Sequence, residues 1–245
     1  MSRIKKIGFG LVLLAVAGIV FAFYDSTSKS IDSRVLTYEI DLQKQDLRFF
    51  WKDEQGKNYQ SFKNLKNGLE AQGIGLVFAV NGGMYQEDLS PLGLYIENGV
   101  EKHKINRIVN AHGNFYMQPN GVFAITKTNK GFISTTANFK PSSDIKYATQ
   151  SGPMLVIDGK LHPKFMKGSN NLNIRNGLGV LPNGKLLFVI SKEKINFYDF
   201  ATYFQSRGCK NALYLDGFVS RTYLPSKGAT DLGGNFGVII GEVKR

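Results

Sequence analysis

Tyr147-Ala-Thr-Gln-Ser-Gly-Pro-Met-Leu-Val-Ile-Asp-Gly-Lys160 moves from small polar residues through an apolar run into a turn pair. Met154 to Ile157 reads as a strand covered on both faces, because an unbroken apolar run of that length leaves no face for water. Asp158-Gly159 is a two-residue hairpin signal, since glycine reaches positive φ without steric cost. Ser151-Gly152-Pro153, at the mouth of that strand, combines close backbone approach with a fixed φ. Such a rigid turn presents a hydroxyl.

Three other stretches share this grammar. Leu76 to Val80 runs into Asn81-Gly82-Gly83-Met84-Tyr85, Ala212 to Leu215 runs into Asp216-Gly217, and Ile174-Arg175-Asn176-Gly177 precedes Leu178 to Leu181. In each, a polar or charged residue sits beside glycine at the end of an apolar strand. Open sheets assemble their sites at such strand ends.

Taken together, Asn81-Gly-Gly-Met-Tyr, Gly113-Asn-Phe with Pro119-Asn-Gly-Val-Phe, Gln150-Ser-Gly-Pro-Met-Leu-Val, Arg175-Asn-Gly and Leu215-Asp-Gly resemble the phosphodiester glycosidase family. The resemblance runs over roughly residues 35 to 243 and is closer to bacterial members. The family's animal members, the uncovering enzymes, remove N-acetylglucosamine from a phosphodiester. They resemble Asp-Gly-Gly-Gly-Ser at the late motif, where this chain has Asp216-Gly217-Phe218-Val219-Ser220. That departure bears on the substrate more than on the reaction. The resemblance implies a hydrolase that cleaves the glycosidic bond of a sugar-1-phosphodiester, with a phosphorylated glycan as partner.

Length and charge are compatible with this. The 245 residues allow one sizeable domain with a real core. Net charge is +12, of which Arg3, Lys5 and Lys6 contribute three, leaving +9 on residues 25–245. A basic surface favours anionic partners. Nucleic acid is not expected as a partner: the chain has no basic helix, zinc spacing or aromatic binding motif. Cys209 stands alone, so no intrachain disulfide exists, and it reads as a packed thiol in a helix-to-strand link.

Residues 1–24 read as a targeting segment outside the fold. Three basic residues precede a charge-free run from Ile7 to Tyr24, as in a signal peptide or a signal anchor. If uncleaved, residues 7–24 would hold the chain to the membrane, and the preceding positive charges place residues 25–245 outside the cytoplasm, on the periplasmic or extracellular side. Residues 25–34, with four serines, read as a polar linker, and 35–245 as the domain.

Within the domain, alternation over Val35–Ile40 and Leu47–Trp51 predicts two strands of a meander, and residues 64–72 a helix ended by Gly73. Residues 92–96 and 100–103 form a hairpin about Asn98-Gly99. A second hairpin joins 114–117 to 122–125 through Pro119-Asn-Gly121, followed by a turn at 127–130 and a strand at 132–136. Residues 165–173 and 218–235 are long loops suited to closing over a pocket. Asn196 caps a helix over 197–207, and strands at 212–215 and 236–243 finish the sheet. The expected class is α+β: a large mixed β-sheet core with a few peripheral helices and long active-site loops.

The chemistry assigns roles. Cleavage at an anomeric carbon builds oxocarbenium character, which calls for a carboxylate, and Asp216 is the candidate. Phosphate is a good leaving group, so one essential carboxylate suffices. Asn81 and Ser151 would orient substrate or water. Arg175 would grip two phosphate oxygens in parallel. Gly82, Gly83 and Gly152 would offer backbone N–H groups as an anion nest, with Asn176, Gly217 and Ser220 completing the binding set. Glu87 and Asp88 follow the Asn81 motif, within reach of the pocket, and read first as a solvated loop. His103, His112 and His162 lack metal-ligand spacing and read as solvent-facing or packing residues; no metal or cofactor is expected. The competing reading is a non-catalytic surface module that binds anionic glycan, for which a pocket carboxylate has little use.

Overall fold

Residue alternation divides each strand between two packing environments, and the computed structural model shows where they lie. It describes residues 33–216 and 219–245. The apolar segment 1–24, the linker up to residue 32, Gly217 and Phe218 lie outside the described residues, so the targeting expectation and the binding role of Gly217 are not addressed by it. In chain order the elements are β1 (Val35–Ile40), β2 (Asp46–Phe50), α1 (Phe62–Glu70), β3 (Gly75–Asn81), β4 (Tyr95–Glu97), β5 (Val100–His103), β6 (Gly121–Thr126), β7 (Gly131–Thr135) and β8 (Ile145–Ser151). There follow β9 (Met154–Ile157), β10 (Lys160–Leu161), β11 (Asn176–Val180), β12 (Leu186–Ser191), α2 (Phe197–Ser206), β13 (Ala212–Asp216), β14 (Thr222–Tyr223) and β15 (Ile239–Lys244).

The class is α+β. The strands are shared among three sheets, in the orders β1-β12-β11-β13-β9-β10, β14-β3-β15-β2 and β5-β4-β8-β6-β7. Every strand pairing described is antiparallel, where one large mixed sheet was expected. Inner faces of all three sheets meet in one core, with Phe49, Phe78, Phe123, Met154, Phe188 and Leu213 among its buried members. Alternation on β13 sends Leu213 and Leu215 into this core and Ala212 and Tyr214 to the other face, against α2. α2 is capped as expected: Asn196 Oδ1 accepts from the Asp199 amide at 2.8 Å. Its Phe200 and Phe204 are fully buried, and each such side chain contributes about 1.5–3 kcal/mol. Cys209 packs in the same cluster, pressed against Gly179. α1 starts two residues before the expected point, because Ser61 rather than a later residue caps it by accepting from the Asn64 amide at 3.2 Å.

Two expectations are corrected. β1 and β2 are not a meander: β1 pairs with β12 and β2 with β15. Residues 114–116 form a 3-10 turn instead of a strand, and β6 takes β7 and β8 as neighbours. The opening stretch is also two strands in two different sheets. β8 ends at Ser151, Gly152–Pro153 is a cis bond, and β9 begins the crossing into the six-stranded sheet. Both two-residue turns form as read, with Asn98 and Gly99 at φ 51° and 79° and Asp158 and Gly159 at φ 48° and 80°.

Candidate active site

Asn81 ends β3, Asp216 ends β13 and Asn176 opens β11, so three strand ends from two sheets converge. Asn81 Nδ2 donates to Asp216 Oδ2 at 2.9 Å. Asn81 Oδ1 accepts from Asn176 Nδ2 at 3.0 Å and from the Arg221 amide at 2.8 Å, which settles the orientation of its amide. Asn176 Nδ2 also donates to the Asn81 carbonyl at 2.9 Å, and its Oδ1 accepts from the Asp216 amide at 3.0 Å. The Ser220 hydroxyl lies between Asn176 Oδ1 and the Asp216 carbonyl. Asn81 and Asn176 are wholly buried, so this network also fastens the six-stranded sheet to the four-stranded one.

Asp216 itself keeps 6% exposure, at the floor of a cleft of about 370 Å³. One wall is the 84–92 loop, with Met84, Tyr85, Glu87 and Leu92; the other is residues 112–116, with His112, Asn114 and Tyr116. Burial, and then the charge of Asp216, push the Tyr85 hydroxyl up to about 12, so it stays a neutral phenol, donating to the Asn235 carbonyl at 2.7 Å. Tyr214, on the helix side, is likewise pushed up to about 12 by burial, with Arg175 opposing and Asp216 adding to the shift. Among the described residues, no three His, Cys, Asp or Glu side chains converge as metal ligands would.

Arg175 is a correction to the phosphate-clamp expectation. Its side chain has 0% exposure and turns beneath α2. Nε donates to the Ile195 carbonyl at 2.8 Å, Nη1 to the Tyr214 hydroxyl at 3.1 Å, and Nη2 to the carbonyl and Oδ1 of Asn171 at 2.9 and 3.0 Å. The guanidinium also lies 3.6 Å over the Phe197 ring. It ties the 165–173 loop to the helix layer, and its bonded N–H groups are spent on protein acceptors.

Ser151 is also displaced from its expected role. With 0% exposure, its hydroxyl donates to the Leu215 carbonyl at 2.6 Å and so holds the strand that ends in Asp216. Of the glycines expected to form the nest, Gly82 is taken out of it, and all three sit where packing is close. The Gly82 amide is already donated to the Val238 carbonyl at 2.9 Å, and a Cβ there would lie 2.8 Å from Ile240. A Cβ at Gly83 would lie 2.1 Å from Thr149 Oγ1, and one at Gly152 2.6 Å from Asn120 Cβ. Asn81, Asn176, Asp216 and Ser220 are brought together; Ser151 stands behind them and Arg175 on the far side.

The sequence reading did not place His112, Tyr85 or Tyr116 at the site, and kept Glu87 in solvent. Glu87 is exposed but lines the cleft, whereas Asp88 is absorbed by its own loop, accepting from the Ser90 amide and hydroxyl at 2.9 and 2.6 Å. The available signal was Gly113, held at φ 104°, which turns the chain into the 114–116 wall.

All of these cleft and network residues fall within residues 75–236, which match the phosphodiester glycosidase family model. The chain belongs to the phosphodiester glycosidase family. It is 36% identical over 226 residues to the uncharacterized protein YigE of Escherichia coli, covering 91% of this chain and 86% of that one. Among solved structures, the catalytic domain of zebrafish N-acetylglucosamine-1-phosphodiester alpha-N-acetylglucosaminidase, auto-inhibited by its propeptide, is similar with a TM-score of 0.56 at 13% identity, covering 86% of this chain and 84% of that one. A protein of Burkholderia pseudomallei gives a TM-score of 0.54 at 10% identity, covering 85% of this chain and 73% of that one. At these identities the structures share the fold, while family membership brings a glycosidase-type hydrolase.

Proposed function

We propose that this member of the phosphodiester glycosidase family is an exported hydrolase that releases sugar from a sugar-1-phosphodiester within a phosphorylated glycan or polymer. The observation that carries the proposal is the Asp216 carboxylate, oriented by Asn81 and Asn176 at the floor of an open cleft. A sugar ring lying against Tyr116 would bring its anomeric carbon over that carboxylate. As the C1–O bond breaks, its electron pair leaves with the phosphate oxygen, and Asp216 stabilises the positive charge that develops at C1. Water then supplies the new hydroxyl at C1 and its proton is released, giving free sugar and a phosphomonoester. His112 is the one imidazole among the described residues that line the cleft. The export part rests on Arg3, Lys5 and Lys6 ahead of the charge-free run Ile7–Tyr24.

The test is purified residues 25–245 against a panel of sugar-1-phosphodiesters, with released sugar as the readout. Release of sugar from at least one member is expected. Tight binding of the panel with no release would favour a glycan-binding module.

A further inference from the structure

The last three residues of β8 each support a different part of the cleft. Thr149 lies under the Asn81-Gly82-Gly83 turn, close enough that only a glycine fits at position 83. Ser151 holds the floor strand through the Leu215 carbonyl. Gln150 holds Asn106, from which the chain runs on to the third part, the 112–116 wall.

Gln150 is 1% exposed and uses its whole primary amide. Nε2 donates to the Asn106 carbonyl at 2.6 Å and to Thr136 Oγ1 at 3.1 Å. Oε1 accepts from the Asn106 amide at 2.8 Å and the Leu94 amide at 3.0 Å. Both backbone groups of Asn106 are therefore held by one side chain. Close packing enforces this geometry, since a Cβ at Gly93 would lie 2.3 Å from Gln150 Oε1. Arg107 adds a second tie, donating to the Thr136 carbonyl at 2.7 Å and the Phe139 carbonyl at 3.2 Å. Beyond these anchors, residues 108–112 are exposed, with Ile108 at 56% and Val109 at 58%, until Phe115 is buried again. The exposed run that carries His112 and leads to Asn114 thus hangs between Asn106, held by Gln150, and Phe115, whose carbonyl accepts from Asn120 Nδ2 at 2.9 Å.

We propose that Gln150 is the positioning residue for this wall, and that through it Gln150 sets how tightly the sugar phosphodiester is held, while Ser151 and Asn176 govern the carboxylate that cleaves it. This rests on the function proposed above. A buried amide suits the task because its separate donor and acceptor atoms take a backbone C=O and a backbone N–H of one residue side by side, whereas a carboxylate has no donor to offer.

The experiment compares the full chain with Gln150→Met and with Thr136→Val, which removes only the 3.1 Å bond. The probe is the methyl phosphodiester of N-acetylglucosamine 1-phosphate, with kcat and KM measured separately and amide hydrogen exchange followed over residues 104–118. Gln150→Met is expected to raise KM roughly tenfold or more, with kcat held within about threefold, and to speed exchange in that segment. Thr136→Val should move KM about two- to fivefold in the same direction, and it carries the test if Gln150→Met does not fold. A folded Gln150→Met with unchanged KM, or a fall in kcat alone, overturns the proposal. If the wild type does not turn the probe over, the functional reading fails separately. Exchange over 104–118 then decides Gln150, and exchange unchanged from wild type overturns it.

Discussion

Arg175 and Asn176 are neighbours in the chain and face opposite worlds. Asn176 belongs to the cleft side, where it and Asn81 hold Asp216 at the edge of water. Arg175 belongs to the helix side, where Ile195, Tyr214 and Asn171 take four of its five N–H groups and Phe197 lies against its face. Both sides are polar, buried and hydrogen-bonded. The difference is whether a charged group opens onto space for a ligand. Asp216 does, with its support arranged behind it, whereas every partner of Arg175 is the protein itself. Buried polarity near a site therefore marks chemistry on one face and architecture on the other.

The comparison breaks most visibly at Asp216. Asp216→Asn keeps shape and loses charge and basicity, so kcat should fall roughly 10²–10⁴-fold while the protein still melts cooperatively. A folded variant with wild-type turnover would remove Asp216 from the chemistry. On the other face, Arg175→Ala should cost stability instead of catalysis. It removes the guanidinium from the Asn171 carbonyl and the Tyr214 hydroxyl and leaves the Ile195 carbonyl with the Asn173 amide alone, which together amount to roughly 3 kcal/mol, or about 6–12 °C in Tm. KM of the folded fraction should stay within about threefold of wild type. An unchanged Tm with a raised KM would return Arg175 to the phosphate.

Ser151→Ala sharpens the contrast on the cleft side. It removes one hydrogen bond behind the floor, worth about 1 kcal/mol, so kcat should drop roughly fivefold. An unaffected kcat would show that β13 is held without it. The smallest effect is a pH dependence on the helix side. His162 is buried, with Nε2 donating to the Gln118 carbonyl at 3.0 Å and Nδ1 accepting from the Lys164 amide at 3.2 Å, and its ring stacks on Phe165, which stacks on Phe197. Burial lowers its pKa below the ordinary histidine value of about 6.5. The unfolded chain then binds a proton before the folded one does. Stability from this residue is complete above about pH 6.5 and is lost as pH falls below it. Tm measured from pH 7.5 downward should decline in that window, and the decline should be shallower in His162→Gln.

How much of this could be read from the chain alone follows from the range of each interaction. Asn98-Gly99, Asp158-Gly159 and the Asn196 cap were legible because two to four consecutive residues determine them. Asn81, Asn176 and Asp216 were legible as polar residues beside glycine at strand ends. The partners of β1 and β2 were not, since each pairs more than a hundred residues away and alternation carries no information about distance along the chain. The direction of Arg175 was invisible for a related reason: a strand end offers two faces, and α2, which decides between them, comes twenty residues later. His112 and Tyr116 sit on an aperiodic loop whose place is fixed by Gln150, a residue that sequence reading treated only as part of a motif.

Cys209 has a practical side. It is the chain's one cysteine, 1% exposed and packed against Gly179, and burial pushes its thiol up to about 11. At neutral pH it is therefore a protonated, shielded sulfur that maleimides and iodoacetamides react with slowly. The wild-type background is already blank for thiol chemistry. A cysteine introduced at Val109 and another at Glu87 would be the reactive pair in the folded protein. A spin label or fluorophore on each would report the width of the cleft mouth directly, without first stripping a native thiol from the core.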